Sequence, residues 1–351
     1  MDFIYKFPAV KGVQANREYY ISMVPLKYLS KIFTTEDEYI IPEQRAQRKI
    51  NETRIPEISK YILRNRDSYV FSALSASIDG NFEFVSCNND AVGCLEVAMD
   101  AVILINDGQH RKAAIEQALQ EDPSLEKETI SIVFFRDQGL KRSQQMFTDL
   151  NKHAVKTSNS LSTLYDYRDQ LAVATKNVIN SVPFFKMYTD KERDILGKNS
   201  SKLFTLNNLY KANQKIVKND EINNEMMKFL IDYWNQVADN IIEWNEVMQK
   251  ELTKRELREN YIITLAVTLN ALGKLGRYFY ENPDVNMAKK LTKLKKIDWL
   301  RSNCENWEKR TIRANGKVMN TEQASSLTCS QIKRLIDIPL SKEEEIKESE
   351  L

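Results

Sequence analysis

The sequence predicts an α+β protein in which a mixed α/β N-terminal domain precedes a mostly helical C-terminal domain. Three observations lead there. Before residue 158, short runs rich in β-branched and aromatic residues alternate with helix-prone stretches and are punctuated by Asp-Gly pairs. After Leu161, apolar residues recur at three- and four-residue spacing through long segments. Residues 343–351 are acidic and polar. The expected boundaries are a first domain over 1–158, a helical domain with a basic C-terminal segment over 159–340, and an acidic flexible tail over 341–351.

In the first domain, residues 43–64 are helix-prone. Ile50, Ile55, Ile58, Tyr61 and Ile62 fall at helical spacing, and Pro56 suits a first turn, where a missing N–H costs nothing. Residues 69–78 are β-rich, Asp79-Gly80 follows, and 81–86 alternates again. A two-residue Asp-Gly link between such runs predicts a hairpin. Residues 95–99 and 101–105 predict two further strands, the second nearly all apolar and so expected to be buried on both faces. A helix is predicted over 109–120, a strand over 129–135 and a helix over 140–153.

In the second domain, residues 224–249 and 255–280 each predict a long helix. Asn282 and Pro283 break the pattern, and 286–300 predicts another helix. On that helix Met287, Leu291 and Leu294 share one face, and Lys289, Lys293 and Lys296 share the opposite one. Lys290 and Lys295 broaden the stripe, and Arg310, Arg313 and Lys317 follow it. Residues 271–335 hold fourteen Lys/Arg against six Asp/Glu, although the whole chain carries only +2. Such a local excess is either a solvated face or a surface for a polyanion. Trp234, Trp244, Trp299 and Trp307 sit at helical positions and are expected in the core rather than on bases.

The 351 residues allow two domains at roughly 100–200 residues each. No apolar run approaches the roughly 20 residues that span a bilayer, and the N-terminus lacks a signal-peptide pattern. A cytoplasmic protein with no membrane partner is expected. Cys87, Cys94, Cys304 and Cys329 form no CxxC pair, and only two histidines accompany them, so reduced thiols are expected and no metal site. The stretch Gly197 to Ser201 fails as a phosphate loop, because Glu192 stands where the first glycine belongs and Asn199 where the hydroxyl does.

The chemistry-bearing motif lies at 103–112, where an apolar strand runs into Asp107-Gly108 and a helix begins at once. Asp107 or Asn106 is expected to cap that helix, and Gly108 to take a positive φ or admit a close approach. Gln109, His110 and Arg111 then fall in the first turn, where free N–H groups favour an anion. Arg111 and Lys112 stand at the end of a helix that disfavours cations, which makes sense opposite a phosphate. The plainer alternative is a capped turn with an exposed Arg and His. His110 suits hydrogen bonding or general-base work, and His153 an ordinary helix-end cation.

The run Asp107-Gly108-Gln109-His110-Arg111 resembles the signature of the DGQHR-domain proteins, whose best-known members are DndB-type regulators of DNA phosphorothioation gene clusters. Arg54 to Leu63, Ser75 to Gly80, Phe147 to Ala154, Arg258 to Tyr261 and Ala271 to Gly276 are similar to further parts of that family, so the likeness spans roughly residues 40 to 280. It implies a ParB/sulfiredoxin-like first domain and a DNA-binding transcriptional repressor acting on double-stranded promoter DNA of the modification operon. The alternative it implies is a nucleotide hydrolase, an ATPase or GTPase coupled to DNA binding or nicking. Its cofactor would be a nucleoside triphosphate with Mg. Under the resemblance Asp107 and His110 are the catalytic candidates, and Gly108, Gln109, Arg111 and Asn151 hold phosphate. Arg45, Arg48 and Arg54 join Lys289, Lys293, Lys296, Arg310 and Arg313 as DNA contacts. A homo-oligomer is compatible with either reading.

Overall fold

A computed structural model describes residues 4–33, 51–152 and 157–351. Backbone proximity divides the chain into two compact units, Met1–Val155 and Lys156–Leu351.

In the first unit, strands β1 (Ile4–Gln14) and β2 (Arg17–Pro25) form an antiparallel hairpin. Ala15 and Asn16 turn it with φ of 49° and 59°, the left-handed pair that matches strand twist. Helix α1 (Leu29–Ile32) follows, then α2 (Ile55–Arg64), with proline in its first turn as expected. Next come β3 (Leu74–Asp79), β4 (Phe82–Asn89), β5 (Val92–Ala98) and β6 (Val102–Asp107). Helix α3 (Gln109–Glu121), β7 (Thr129–Arg136) and α4 (Leu140–Lys152) complete the unit. Among the described residues seven strands make one mixed sheet in the order β4-β5-β1-β2-β7-β3-β6, in which only β3 and β7 run parallel.

Two sequence expectations change here. Asp79-Gly80 is not a hairpin turn, because β3 lies between β7 and β6 while β4 crosses to the far edge and pairs with β5. As a central strand, β3 has Leu74, Ala76 and Ile78 buried in the core of the concave face. Strand β6 is an edge strand rather than one buried on both faces, with Ile103 and Ile105 inward and Val102 exposed.

The sheet is strongly coiled. Strands β4 and β2 are three spacings apart, about 14 Å in a flat sheet. Yet Phe84 stacks on Tyr20 with centroids 5.3 Å apart, and Phe82 meets the same ring edge-on at 5.9 Å. The Arg136 guanidinium of β7 lies 4.2 Å from the Phe82 centroid. The concave face therefore closes on its own aromatics, and Ile62 of α2 with Ile115 and Ala118 of α3 fill the rest of its core. On the other face α4 packs at β6, where the Asn106 amide donates to Ser77 Oγ at 2.7 Å beside Met146.

The second unit opens with α5 (Asn159–Tyr165), α6 (Gln170–Ser181) and α7 (Pro183–Tyr188). A two-stranded parallel pair, β8 (Thr189–Asp190) and β9 (Phe204–Thr205), leads to α8 (Leu206–Val217). Then follow α9 (Asn224–Asn240), α10 (Ile242–Gln249), α11 (Lys254–Asn260) and α12 (Ala266–Glu281). The last are α13 (Met287–Leu291), α14 (Cys304–Trp307), α15 (Glu322–Leu335) and α16 (Lys342–Ser349). All four tryptophans are buried in one core, as their spacing predicts. Trp234 Nε1 donates to Asn213 Oδ1 at 2.7 Å, and Asn213 donates on to Thr175.

The predicted long helices are each broken. Residues 224–249 split at extended Ile241, where the Asn245 amide donates to the Ala238 and Ile241 carbonyls. Residues 255–280 split after α11, where Ile262 takes a backbone bond from its N–H to Trp299 and buries itself with Ile263. Residues 286–300 give α13 and then a 3₁₀ turn, Thr292–Lys296, before Ile297 and Trp299 turn inward. In place of an acidic flexible tail stands α16, with a capping box between Ser341 and Glu344. Glu344 meets Lys333 at 2.6 Å, and Glu348, 1% exposed, meets Arg310 at 2.7 Å and Arg334 at 2.6 Å. Charge expected to solvate the tail instead docks it on the basic segment before it.

Two outcomes follow from this architecture. Replacing Ala15 by Gly removes the left-handed strain of a Cβ, offset in part by chain entropy, and is expected to raise stability by about 0.5 kcal/mol in urea denaturation. Burial, reinforced by Glu246 and Asp298, pushes the Glu243 carboxyl up from 4.5 to about 7. The folded state thus holds this proton more tightly than the unfolded chain. Stability is fully present below about pH 4.5 and falls as pH rises towards 7. Glu243→Gln should gain over the native chain at pH 8 and not at pH 4, read from urea midpoints.

Candidate functional site

The motif predicted at the strand-to-helix junction is a tight corner. Asp107 ends β6, Gly108 turns the chain with φ of 104°, and α3 begins at Gln109. No side chain caps the helix, contrary to the expectation for Asp107 and Asn106. The Asp107 carboxylate is drawn instead to Arg111, one turn on, at 2.6 Å. Asn106 points to the opposite face of the sheet, to Ser77.

Arg111 organises this corner. Its Nη1 donates to the carbonyl of Ser72 at 2.6 Å, to Ser72 Oγ at 2.6 Å and to the carbonyl of Ala73 at 2.9 Å, and its Nη2 donates to Asp107. The guanidinium fork thus ties the chain entering β3 to the chain leaving β6. A Cβ at Gly108 would lie 2.3 Å from Leu74 Cδ2, and Leu74 is wholly buried, so it would have to shift within the core. Glycine is needed there for its positive φ and for that approach. His110 Nε2 accepts a 2.9 Å bond from the Asn51 backbone N–H, which ties the segment before α2 to α3. Gln109 is buried and its amide reaches back to the Ile105 carbonyl at 3.4 Å.

Asp107, Gly108, Gln109, His110 and Arg111 are therefore together, as neighbours in one turn. A nucleoside triphosphate with Mg does not fit them as arranged. Arg111 gives its donors to protein oxygens, Asp107 balances Arg111, and the Nε2 lone pair of His110 is taken. Residues that the sequence reading did not single out, Asn51, Ser72 and Leu74, complete the corner. Asn51 and Ser72 stand just before elements that pack on the motif, and Leu74 opens β3.

The other predicted residues lie apart. Asn151 falls in the last turn of α4, and His153, Arg45 and Arg48 lie outside the described residues. Arg54 is exposed in the turn that leads into α2. Lys289 and Lys296 are exposed, and Lys293 pairs with Asp337. Arg313 is exposed, whereas Arg310 is committed to Glu348. The cysteines are free thiols; Cys87 is exposed, and burial pushes the Cys329 thiol up to about 12. Among the described residues no helix is long and apolar enough to cross a membrane.

The corner makes a stability prediction that separates structural from ligand-binding roles. Gly108→Ala should cost about 2 kcal/mol from backbone strain and overpacking. Arg111→Ala should cost about 2–4 kcal/mol by orphaning carbonyls and a carboxylate. Arg111→Lys should recover little of this, since an ammonium cannot span both strands. Denaturant midpoints measure all three; a neutral Arg111→Ala would mean that the fork does not hold the fold.

Comparison with protein families matches residues 7–339 to the family described as DndB, DNA-sulfur modification-associated. No curated protein and no solved structure matches the chain.

Proposed function

The chain belongs to the DndB family of DNA-sulfur modification-associated proteins, and on that premise we propose that it is a cytoplasmic DNA-binding repressor of a DNA phosphorothioate modification gene cluster. Its partner is the double-stranded promoter DNA. One observation carries the reading: the lysine face of α13 and the turn after it. Leu291 and Leu294 are fully buried, which fixes the segment's rotation. Lys289, Lys295 and Lys296 are then exposed, and Arg313 is exposed further along the chain. Exposed lysines on a rigid turn suit phosphate contacts, which supply affinity and register without reading bases. A homo-oligomer would let two such faces meet successive turns of the duplex. The ParB-like likeness of the first unit belongs to the same proposal. The hydrolase alternative would require Arg111 to leave four protein oxygens, so the motif is better read as the corner that shapes the first unit.

A retardation assay on the promoter fragment tests this across a salt series. Binding is expected at low salt and should weaken steeply as salt rises. Lys289→Gln with Lys296→Gln should reduce the log–log salt slope by about 2, since each phosphate contact contributes about 0.9. No retardation at low salt rejects the DNA-binding reading; an unchanged slope removes this face from it.

A further inference from the structure

Helices α8 and α12 lie unusually close. A Cβ at Gly273 would fall 2.3 Å from the Ala212 carbonyl oxygen, so any side chain there would force the helices apart. The Tyr233 hydroxyl donates to the Leu272 carbonyl and holds α12 on its other side. This approach brings Lys215 of α8, and Lys218 just past its end, beside Lys274 and Arg277 of α12. With Lys333 of α15 and Lys347 of α16 they line a cleft of about 570 Å³. Its wall also holds Glu281, Glu343 and Glu344, and with Glu322 and Asp220, which pair with its cations, six positive charges meet five carboxylates. A second cavity of about 340 Å³ shares Lys215 and adds Lys211.

The way these cations are balanced distinguishes the cleft from the corner in the first unit. There, Arg111 is consumed by backbone carbonyls. Here, Lys215 at 2.8 Å and Lys274 at 2.7 Å both turn to one carboxylate, Glu322, which is 63% exposed. Lys218 reaches Glu281 only at 3.4 Å and is itself largely exposed. An exposed carboxylate bridging two ammonium groups is a weak, screened partner, and a multiply charged anion can take its place. Arg277 is different: it is fixed by Asp220, Glu281 and the Ile216 carbonyl, so it acts as a fixed positive wall rather than a mobile ligand. Lysines on flexible stems around a rigid arginine suit the several oxygens of linked phosphates better than a single carboxylate. The volume is that of a small-molecule pocket.

We infer that this cleft is an oligophosphate-binding site, formed by Lys215, Lys218, Lys274 and Lys347 around Arg277 and guarded by Glu322, while Lys333 stays paired with Glu344. The phosphates come either from a free nucleoside triphosphate or from a nucleic-acid backbone. The site is independent of the lysine face on α13.

Calorimetric titration of the full chain tests it with three probes: inorganic triphosphate, ATP and a short duplex of unrelated sequence. Triphosphate should bind, and binding should weaken at least tenfold in the double variant Lys218→Gln with Lys274→Gln. Both side chains reach solvent, so melting temperature should change little and serves as the folding control. Glu322→Gln removes the competing carboxylate and should tighten triphosphate severalfold, an effect that a merely structural role would not produce. Duplex that displaces triphosphate and loses affinity equally in the double variant identifies nucleic-acid backbone as the source. Duplex that leaves triphosphate in place identifies the free oligophosphate. No heat with triphosphate, or equal binding by native chain and double variant, overturns the inference.

Discussion

The Arg111 guanidinium ties the chain entering β3 to the end of β6, beyond the backbone pairing that already joins the two strands. Its bonds to Ser72, Ala73 and Asp107 fix where β3 begins and where β6 ends. The strands are neighbours in the sheet, and α3 must leave their end at one angle if Ile115 and Ala118 are to reach the core. Gly108 permits that angle, and the bond from Asn51 to His110 extends the same junction to the segment before α2. A charged group half withdrawn from water is tolerated here because its planar donors are matched by oxygens in fixed positions. The helix that covers the concave face takes its direction from this corner.

Charge is used in two ways in the chain. Where a cation is met by carbonyls or by a buried carboxylate, it serves the fold. Arg111 is one case; Arg310 is another, held by Glu348, whose side chain is almost inaccessible. Removing either partner would strand a desolvated charge. Where a cation faces an exposed carboxylate or open solvent, as Lys274, Lys218, Lys289 and Lys296 do, its partner can be exchanged at small cost. The second group is where an anionic ligand has a place.

Much of the local structure was legible in the sequence. The ends of β7, α3 and α4 lie close to where pattern and composition put them, because strand and helix periods are local properties. The tryptophans and the apolar side of α13 were legible for the same reason. The Asp79-Gly80 turn misled because a turn signal says that the chain reverses and not which strand it then joins. The long helices broke at Ile241 and at Ile262 and Ile263, where burying a branched side chain in the core outweighed continuing a helix.

At the candidate site the sequence by itself determined that Asp107 to Arg111 form a strand-turn-helix with a glycine at its hinge, since five adjacent residues cannot be far apart. Only the tertiary structure decided what Arg111 faces. Its partners, Ser72 and Ala73, lie nearly forty residues earlier, and no periodicity links them to the motif. The cleft in the second unit shows the same division. The glycine and the cations of α12 stand side by side in the sequence, but the opposing lysines at the end of α8 arrive only through the helix approach that Gly273 allows. Spacing along the chain fixes which residues share a turn, and packing over long separations fixes which charges meet.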